Sequence, residues 1–179
     1  MTGMTADVSV RLAWPADAPA IAAIQRAHWE QTWAGVADPR ELEALDTDVM
    51  TERWAHLIQA PRDARMRTLV ALDRATVRGF ALVHPCHDPD ADQVRDVEVG
   101  EFVVAAEHRG EGHGSRLLQA CVDTARADGF ARAVWWVSPT DDALRAWLRE
   151  AGWEPDGAHR EFAGTSGPVK QVRLHTAVA

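Results

Sequence analysis

Apolar residues recur along the chain with two different periods, and each change of period marks the boundary of a predicted element. Short runs of β-branched and apolar residues predict strands at residues 9–14, 67–72, 77–84, 97–104, 133–137, 159–163 and 169–176. Apolar spacings of three and four residues predict helices at residues 17–34, 40–60, 115–128 and 141–151. Proline or glycine stands just beyond most of these boundaries, as expected of residues that end helices and strands.

The order of these elements is strand, two helices, three strands, helix, strand, helix and two strands. A mixed sheet with helices on both faces is the packing that this order favours, which places the chain in the α/β (α+β) class. The 179 residues carry no repeat, linker or low-complexity tract, and single domains usually have about 100–200 residues. We therefore expect one domain over residues 1–179, with residues 1–7 as a flexible N-terminus.

Composition and charge exclude several classes of function. The formal net charge of −8 argues against a nucleic-acid partner, which would require a basic face. No apolar run approaches the roughly 20 residues that cross a bilayer, and the N-terminus lacks a hydrophobic signal core, so we expect no membrane partner and a cytoplasmic location. The two cysteines do not indicate a disulfide framework. Eight tryptophans and no tyrosine exclude any mechanism that requires a phenol.

A glycine-rich turn joins the predicted strand 97–104 to the next predicted helix. Gly110, Gly112 and Gly114 stand at alternate positions, which allows the backbone to approach a ligand closely. The helix that begins here offers unpaired N–H groups and the positive end of its dipole, and Arg109 adds a fixed positive charge. The turn therefore predicts a binding site for a phosphate group.

Two well-known phosphate-binding loops do not match this turn. A dinucleotide-binding fingerprint has the spacing G-x-G-x-x-G after the first strand of its unit, with an acidic residue at the end of the next strand. The turn here has the spacing G-x-G-x-G, it follows several strands, and the next strand ends at Ser138. A Walker loop requires Gly-Lys-Ser/Thr, which this turn lacks.

The pattern Arg109-x-x-Gly112-x-Gly114 between a strand and a helix resembles the acetyl-coenzyme A (acetyl-CoA) pyrophosphate loop of the GNAT N-acetyltransferase superfamily. The resemblance covers nearly the whole chain. It includes residues 104–110, similar to the family's Val-x-Pro-x-Tyr-Arg-Gly, and residues 151–157, similar to the Gly-Phe and Asp-Gly that follow the family's last helix. It implies a single GNAT-like domain with a mixed, mostly antiparallel sheet of about seven strands flanked by about four helices.

The resemblance also implies where acetyl-CoA binds. The N–H groups of the loop would surround its pyrophosphate, and the strand before the loop would pair with its pantetheine arm. The amide of Val103 or Val104 would polarise the thioester carbonyl. The implied cofactor-binding residues are Phe102, Val103, Val104, Arg109, Gly110, Glu111, Gly112, His113, Gly114 and Ser115. No metal is expected, because the His, Cys and Asp residues at 84–90 lack a recognised metal-ligand spacing.

Transfer of an acetyl group to an amine uses a base with a pKa near neutrality. Glu98 and Glu101 on the predicted strand 97–104 are the candidates, since burial in a cleft raises the pKa of a carboxylate. Glu98 matches the position where many family members carry a glutamate. A solvated role or an ion pair, for instance with Arg95, is the competing interpretation of either residue. His84 at the end of the preceding strand is an alternative base.

The usual general acid is missing from this sequence. Many relatives carry a tyrosine in the last helix, in a pattern like Asn-x-x-Ala-x-x-Phe-Tyr. Residues 141–148 resemble this pattern, with Trp147 and Leu148 in place of Phe and Tyr. Ser138, Thr140, a water molecule or the departing thiol itself could serve instead, because thiols have pKa values of about 8–9.

Two hypotheses of different class follow from the resemblance. The first is an enzyme that transfers an acetyl group from acetyl-CoA to a primary amine of a small molecule, peptide or protein by direct attack on the thioester. The second is a non-catalytic acyl-CoA binding or sensory protein of the same fold, which the missing tyrosine favours.

Trp29 and Trp33, with Glu30 and Asp38 nearby, could hold a cationic or amphipathic amine. The alternative is that these tryptophans belong to a packed helix face. Dimers are frequent among similar proteins, so a homodimer is one expected oligomeric state.

Overall fold

The computed structural model describes residues 8–164 and 167–179. The segment 1–7, for which the sequence predicts flexibility, lies outside the described residues. The elements are β1 (Val8–Leu12), α1 (Ala18–Thr32), α2 (Pro39–Glu43), α3 (Thr47–Gln59), β2 (Arg67–Asp73), β3 (Thr76–Pro85), β4 (Asp96–Val104), α4 (His113–Ala127), β5 (Arg132–Val137), α5 (Asp142–Glu150), β6 (Glu154–Gly164) and β7 (Gly167–Ala177). Two short 3-10 turns, Pro15–Asp17 and Ala106–His108, precede α1 and α4.

The seven described strands form one sheet in the order β1-β2-β3-β4-β5-β7-β6. All neighbouring pairs are antiparallel except β4 and β5. The prediction of a mixed, mostly antiparallel sheet of about seven strands flanked by helices is confirmed. The parallel pair is short, because its register covers only residues 96–98 of β4 and 132–134 of β5. Beyond these residues the described parts of β4 and β5 no longer pair with each other, although each still pairs with its other neighbour, and this leaves a gap in the middle of the sheet.

Two hydrophobic cores cover the two faces of the sheet. On one face α1 and α3 pack against the strands, and Trp54 meets Phe80 edge to face with 5.2 Å between the ring centroids. On the other face, α4 and α5 contribute the buried side chains of Leu117 and Leu148. None of the described helices combines the length and the apolar character needed to cross a bilayer.

The single helix predicted over residues 40–60 is wrong, because this segment forms the two helices α2 and α3. The carboxylate of Asp46 accepts hydrogen bonds from the backbone N–H groups of Asp48 and Val49, at 2.8 Å and 3.2 Å. These are the bonds of an N-cap, so Asp46 starts a new helix inside the apolar pattern.

The strand predicted over residues 159–163 is longer in the structure and begins at Glu154. Its pairing with β7 is interrupted by a register shift between Pro155 and His159. β6 is an edge strand, and most of its residues are exposed. An edge strand needs few apolar residues, so its first half carries no apolar signal in the sequence.

Candidate active site

A cleft of about 580 Å³ opens where β4 and β5 part, between the end of β4, the glycine turn and α5. Trp147 of α5 and His28 of α1 lie in its wall. We call this space the glycine-loop cleft. Most of the residues that the resemblance assigns to the cofactor line it: Phe102, Val103, Val104, Arg109, Gly110, Gly112, Gly114 and Ser115.

Glycine allows the turn to line this cleft with backbone. Gly112 has a φ of 88°, which L side chains rarely adopt, and it caps the N-terminus of α4. The unpaired N–H groups of the first turn of α4 therefore lie beside the cleft. A Cβ at Gly114 would lie 3.7 Å from Cζ2 of Trp147, so a longer side chain at this position would occupy the cleft itself.

Glu111 and His113, also predicted to bind the cofactor, are not among the residues that line the cleft. Oε2 of Glu111 lies 3.0 Å from Nδ1 of His108 and 3.4 Å from Nε2 of His113. The side chain of His113 is buried, and its Nδ1 has no hydrogen-bond partner among the described residues. The side chain of Glu111 therefore pairs with the two histidines instead of lining the cleft.

The peptide between Val103 and Val104 turns its N–H towards the gap in the sheet. The carbonyl oxygen of Val103 lies against Gly79 of β3, and the N–H of a trans peptide points away from its carbonyl. The next N–H, that of Ala105, donates back to the carbonyl of Arg78 at 2.8 Å. Of the two amides expected to polarise a thioester, that of Val104 is therefore the one that faces the gap between the parted strands.

A bulge in β4 places both predicted catalytic glutamates on one face of the sheet. Glu101 pairs with Leu82 of β3. Glu98 pairs with His84. Leu82 and His84 are two residues apart and share a face, so their partners share it too. Gly100 is the extra residue of β4 that makes this possible, because residues three apart on a regular strand point to opposite faces.

Glu101 lies in a second cleft of about 690 Å³, formed by α1, β5 and the start of β7. Burial raises the pKa of Glu101 to about 7. A carboxyl group with this pKa can accept a proton near neutral pH. We call this space the tryptophan cleft, because its lining includes Trp29, Trp33, Trp135 and Trp136.

The acidic residues expected beside Trp29 and Trp33 do not line the tryptophan cleft. Glu30 pairs with Nε of Arg26 at 2.9 Å. The carboxylate of Asp38 accepts the N–H of Arg40 and caps α2. The two tryptophans therefore line a cleft without these two acids, and a role of Glu30 or Asp38 in holding an amine stays a prediction.

A buried chain of hydrogen bonds holds the Glu101 carboxylate. Nε2 of Gln25 donates to Oε1 of Glu101 at 3.2 Å, and Nε1 of Trp54 donates to Oε1 of Gln25 at 2.8 Å. Because the indole N–H can only donate, it fixes the carbonyl end of the amide and leaves the amide N–H for Glu101. Burial is the larger influence on the pKa of Glu101, and this hydrogen bond opposes it. Sequence reasoning missed the role of Gln25, since the residue belongs to no motif.

Glu98 is not among the residues that line either cleft. Burial raises its pKa, and His84 opposes the rise. Cys86, Asp88 and Glu98 offer possible metal-ligand atoms within 4.8 Å of one another. The carboxylate of Asp88 is already paired with Arg173 at 2.9 Å, so we assign no metal to this cluster. The absence of a metal stays a prediction.

His84 has a defined tautomer. Its Nδ1 lies 2.9 Å from the carbonyl oxygen of Pro85, which can only accept, so Nδ1 carries the proton of the neutral ring and Nε2 the lone pair. A Cβ at Gly100 would come within 2.6 Å of Nε2. Glycine at the bulge therefore makes room for the imidazole, and His84 stays a candidate base beside the tryptophan cleft.

The two clefts meet at residues that line both of them. Burial and the charge of Arg109 lower the pKa of His28, and the charge of Asp141 opposes this. The helical period of α1 predicts which face is apolar, but no sequence signal marks His28 as part of a site. The shared residues are His28, Phe102, Asp141 and Leu144.

The candidate proton donors lie on both sides of this junction. Ser138 and Thr140 line the tryptophan cleft, and their hydroxyl oxygens are 2.9 Å apart. At the end of the tyrosine-like pattern, Trp147 lines the glycine-loop cleft, whereas Leu148 is fully buried in the core. The buried Leu148 therefore stands where many relatives carry a phenol.

Known proteins share both the fold and the sequence pattern. Residues 23–153 match the model of the acetyltransferase (GNAT) family. Mycothiol acetyltransferase of Nocardiopsis dassonvillei is 34% identical over 104 residues, which are 58% of this chain and 27% of that protein. A GCN5-related N-acetyltransferase from Kribbella flavida is similar with a TM-score of 0.72 and 28% identity, over 96% of this chain and 98% of that one. The structure of yncA from Salmonella typhimurium with its cofactor acetyl-CoA is similar with a TM-score of 0.73 and 21% identity, over 97% of this chain and 95% of that one.

The family match extends from within α1 to Trp153, the residue before β6, so it includes the parted strands and the glycine loop. It covers well over half of the chain, whereas the chain spans only about a quarter of the length of the mycothiol acetyltransferase. On this match, together with the likeness in fold, the chain belongs to the acetyltransferase (GNAT) family.

Proposed function

We propose that this protein transfers an acetyl group from acetyl-CoA to a primary amine of a small molecule or peptide, by direct attack of the amine on the thioester. The observation that carries the proposal is the meeting of two clefts. One ends at a glycine loop suited to a pyrophosphate, and the other contains a carboxyl group whose pKa is about 7. The yncA structure with acetyl-CoA supports the choice of donor.

In this proposal acetyl-CoA occupies the glycine-loop cleft. Its pyrophosphate binds the N–H groups of the loop and the charge of Arg109. Its pantetheine arm follows the unpaired side of β4. The thioester carbonyl then accepts the N–H of Val104, and the acetyl group lies near Phe102, where the two clefts meet.

Glu101 is the proposed base because it lines the cleft that the amine would enter. It accepts the proton of the ammonium group, directly or through water. The amine nitrogen then bonds to the carbonyl carbon, and the N–H of Val104 stabilises the negative charge on oxygen. The C–S bond breaks and the thiolate of coenzyme A leaves, while the second proton of the nitrogen passes to water or to the departing thiolate. A thiol pKa of about 8–9 allows this departure with little help from an acid.

A glycine pair provides the test of acetyl-CoA binding. Gly112→Glu places a bulky, negative side chain in the loop, so calorimetric titration should show acetyl-CoA affinity reduced by about tenfold or more. Gly129 is the matched control, since it has a similar φ of 86° but lies after α4, outside the cleft. Gly129→Glu should keep the affinity at a similar cost in stability. An equal loss in both variants, or no loss in either, would contradict the proposed placement.

The non-catalytic alternative is favoured by one observation, the absence of a phenol at the end of the tyrosine-like pattern. Release of coenzyme A thiol across a broad panel of amines distinguishes the two functions. Tight binding of acetyl-CoA without thiol release for any amine would favour an acyl-CoA binding or sensory protein. Amine-dependent release that is lost in Glu101→Gln would support the enzyme.

A further inference from the structure

The tryptophan cleft is lined by half of the tryptophans in the chain. Four of the eight tryptophans line it, and all eight lie in the described part of the chain. Trp29 lies in the last turn of α1, and Trp33 is the residue that ends the helix, with its N–H donating to the Trp29 carbonyl at 2.9 Å. Trp136 of β5 is also part of the lining. A group that enters the cleft therefore meets indole rings from both α1 and β5.

Trp136 is held in place by polar contacts. Its indole N–H donates to the carboxylate of Asp88 at 2.9 Å. The guanidinium of Arg160 lies 4.4 Å from its ring centroid, within the range of a cation–π contact. This part of the cleft is therefore preorganised, which reduces the entropy that a ligand loses on binding.

Few charges are available to a ligand in the tryptophan cleft. Among its described lining residues, only Glu101 and Asp141 carry carboxylates. The Asp141 carboxylate accepts the N–H of Leu144 at 3.0 Å as the N-cap of α5. Lys170 adds a positive charge to the lining. Among the described residues the half-buried Glu101 carboxylate accepts only the Gln25 amide N–H and has no cationic partner, so it can neutralise one ammonium group. A diamine or polyamine would carry its further charges among the indole rings or out to the exposed Asp141.

We propose that the acceptor is a monoamine whose primary amino group is joined by a short linker to an aromatic or similarly bulky apolar group. The apolar group packs among Trp29, Trp33 and Trp136, and the amino group reaches Glu101. The inference rests on the proposed function for the reaction, but amine binding can be measured without it. The same chemistry could be presented by a free amine or by a peptide with an N-terminal aromatic residue.

Ligands matched in charge provide the first test. 2-Phenylethylamine should bind the protein with an affinity about tenfold or more above that of ethylamine, measured by titration in the presence of coenzyme A. Spermidine should bind more weakly than 2-phenylethylamine. Equal affinities of the two monoamines, or a preference for spermidine, would overturn the inference. A Phe-Gly dipeptide amide included in the series shows whether the free amine or the peptide is preferred, and selective binding of either supports the aromatic class.

Matched variants provide the second test. Trp33→Leu should lower the affinity for 2-phenylethylamine by about tenfold and leave the affinity for ethylamine nearly unchanged, because only 2-phenylethylamine has a ring that packs on the indole. Trp14→Leu is the control, because Trp14 is 61% exposed and lies outside the cleft. Urea denaturation shows whether Trp33→Leu folds. An equal loss of affinity for both amines in the folded variant would contradict the inference.

Thiol release separates this inference from the proposed function. Selective binding of the aromatic amine with no release of coenzyme A supports the cleft's specificity and overturns the acetyl transfer. Release that is fastest with spermidine overturns the specificity and leaves the acetyl transfer supported.

Discussion

The two clefts that meet at Phe102 are built in different ways. The glycine-loop cleft takes most of its lining from one continuous stretch, residues 102–115, and much of that lining is backbone. The tryptophan cleft takes its lining from α1, β4, β5 and β7, which lie far apart in the chain. A short sequence pattern can therefore specify the first cleft but not the second.

This difference in construction also determines which ligands each cleft can distinguish. Backbone N–H groups are the same in any sequence that adopts the turn, so they suit a ligand common to a whole family. The side chains of the tryptophan cleft can change without altering the fold, so they suit a ligand specific to one member. Substitutions in the two clefts should accordingly affect different ligands.

The largest expected effect is that of Glu101→Gln. Loss of the proposed base should lower kcat/KM for the amine by about 10²–10⁴-fold, while calorimetric affinity for acetyl-CoA stays unchanged, because Glu101 does not line the glycine-loop cleft. Glu98→Gln is the matched control and should cost less than about tenfold. A greater loss in Glu98→Gln would assign the base to the other glutamate.

Arg173→Met should have a large effect on stability and a small effect on acetyl-CoA binding. The buried Arg173 guanidinium pairs with Asp88, Asp90 and Asp156, and so ties the loop after β3 to β6. Removing one partner from a buried ion network typically costs about 3–5 kcal/mol of unfolding free energy, which urea denaturation would measure.

The surface pair of Arg126 and Asp123 is the control for Arg173. Both side chains are 56% exposed, so Asp123→Asn should change the unfolding free energy by less than about 1 kcal/mol. Similar small changes in both variants would show that the network around Arg173 does not stabilise the fold.

Gln25→Leu should shift the pH dependence of the reaction. A base with a pKa of about 7 is active when deprotonated, so kcat/KM should fall as the pH drops through about 7. Gln25 donates to the carboxylate and holds this pKa down, so its loss should raise the pKa and move the fall to higher pH by about one unit. Trp54→Phe removes the indole N–H together with part of the buried ring, keeps Gln25, and should cause a smaller shift in the same direction. Lower activity with an unchanged pH profile would indicate a purely structural role.

The smallest expected effect is that of Ser138→Ala. Because the departing thiolate needs little help from an acid, kcat/KM should fall by less than about threefold. The hydroxyl of Thr140 lies 2.9 Å from that of Ser138 and could replace it. The double variant Ser138→Ala with Thr140→Val removes both hydroxyls. A loss of about 100-fold or more in the double variant would identify these hydroxyls as the missing general acid.

The sequence predicted the parts of the fold that depend on local signals. The sheet, the turn at Gly112 and the helix that follows it are marked by period and by glycine spacing. It did not predict the break at Asp46 or the early start of β6 at Glu154. The apolar period continues across the break at Asp46, so it gives no sign of a new helix. The start of β6 lies on an exposed edge strand, which needs few apolar residues.

For the site, the sequence identified the candidate glutamates but not their arrangement. The extra residue Gly100 turns Glu98 and Glu101 to the same face, and the register with β3 that reveals it is a long-range contact. Only packing places Gln25 and Trp54 behind Glu101, since both lie on helices distant in sequence. His28 likewise joins the site because α1 crosses the junction of the two clefts.

The sequence by itself determined the glycine loop, because its shape depends on backbone conformations that neighbouring residues impose on each other. The tertiary structure decided which carboxylate lies in a cleft, which amide of β4 faces the gap, and which tryptophans surround a ligand. These depend on register, on the parting of β4 from β5, and on side chains brought together from distant elements. Local backbone conformation thus determines the glycine loop where acetyl-CoA is proposed to bind, and long-range packing determines which side chains line the neighbouring tryptophan cleft.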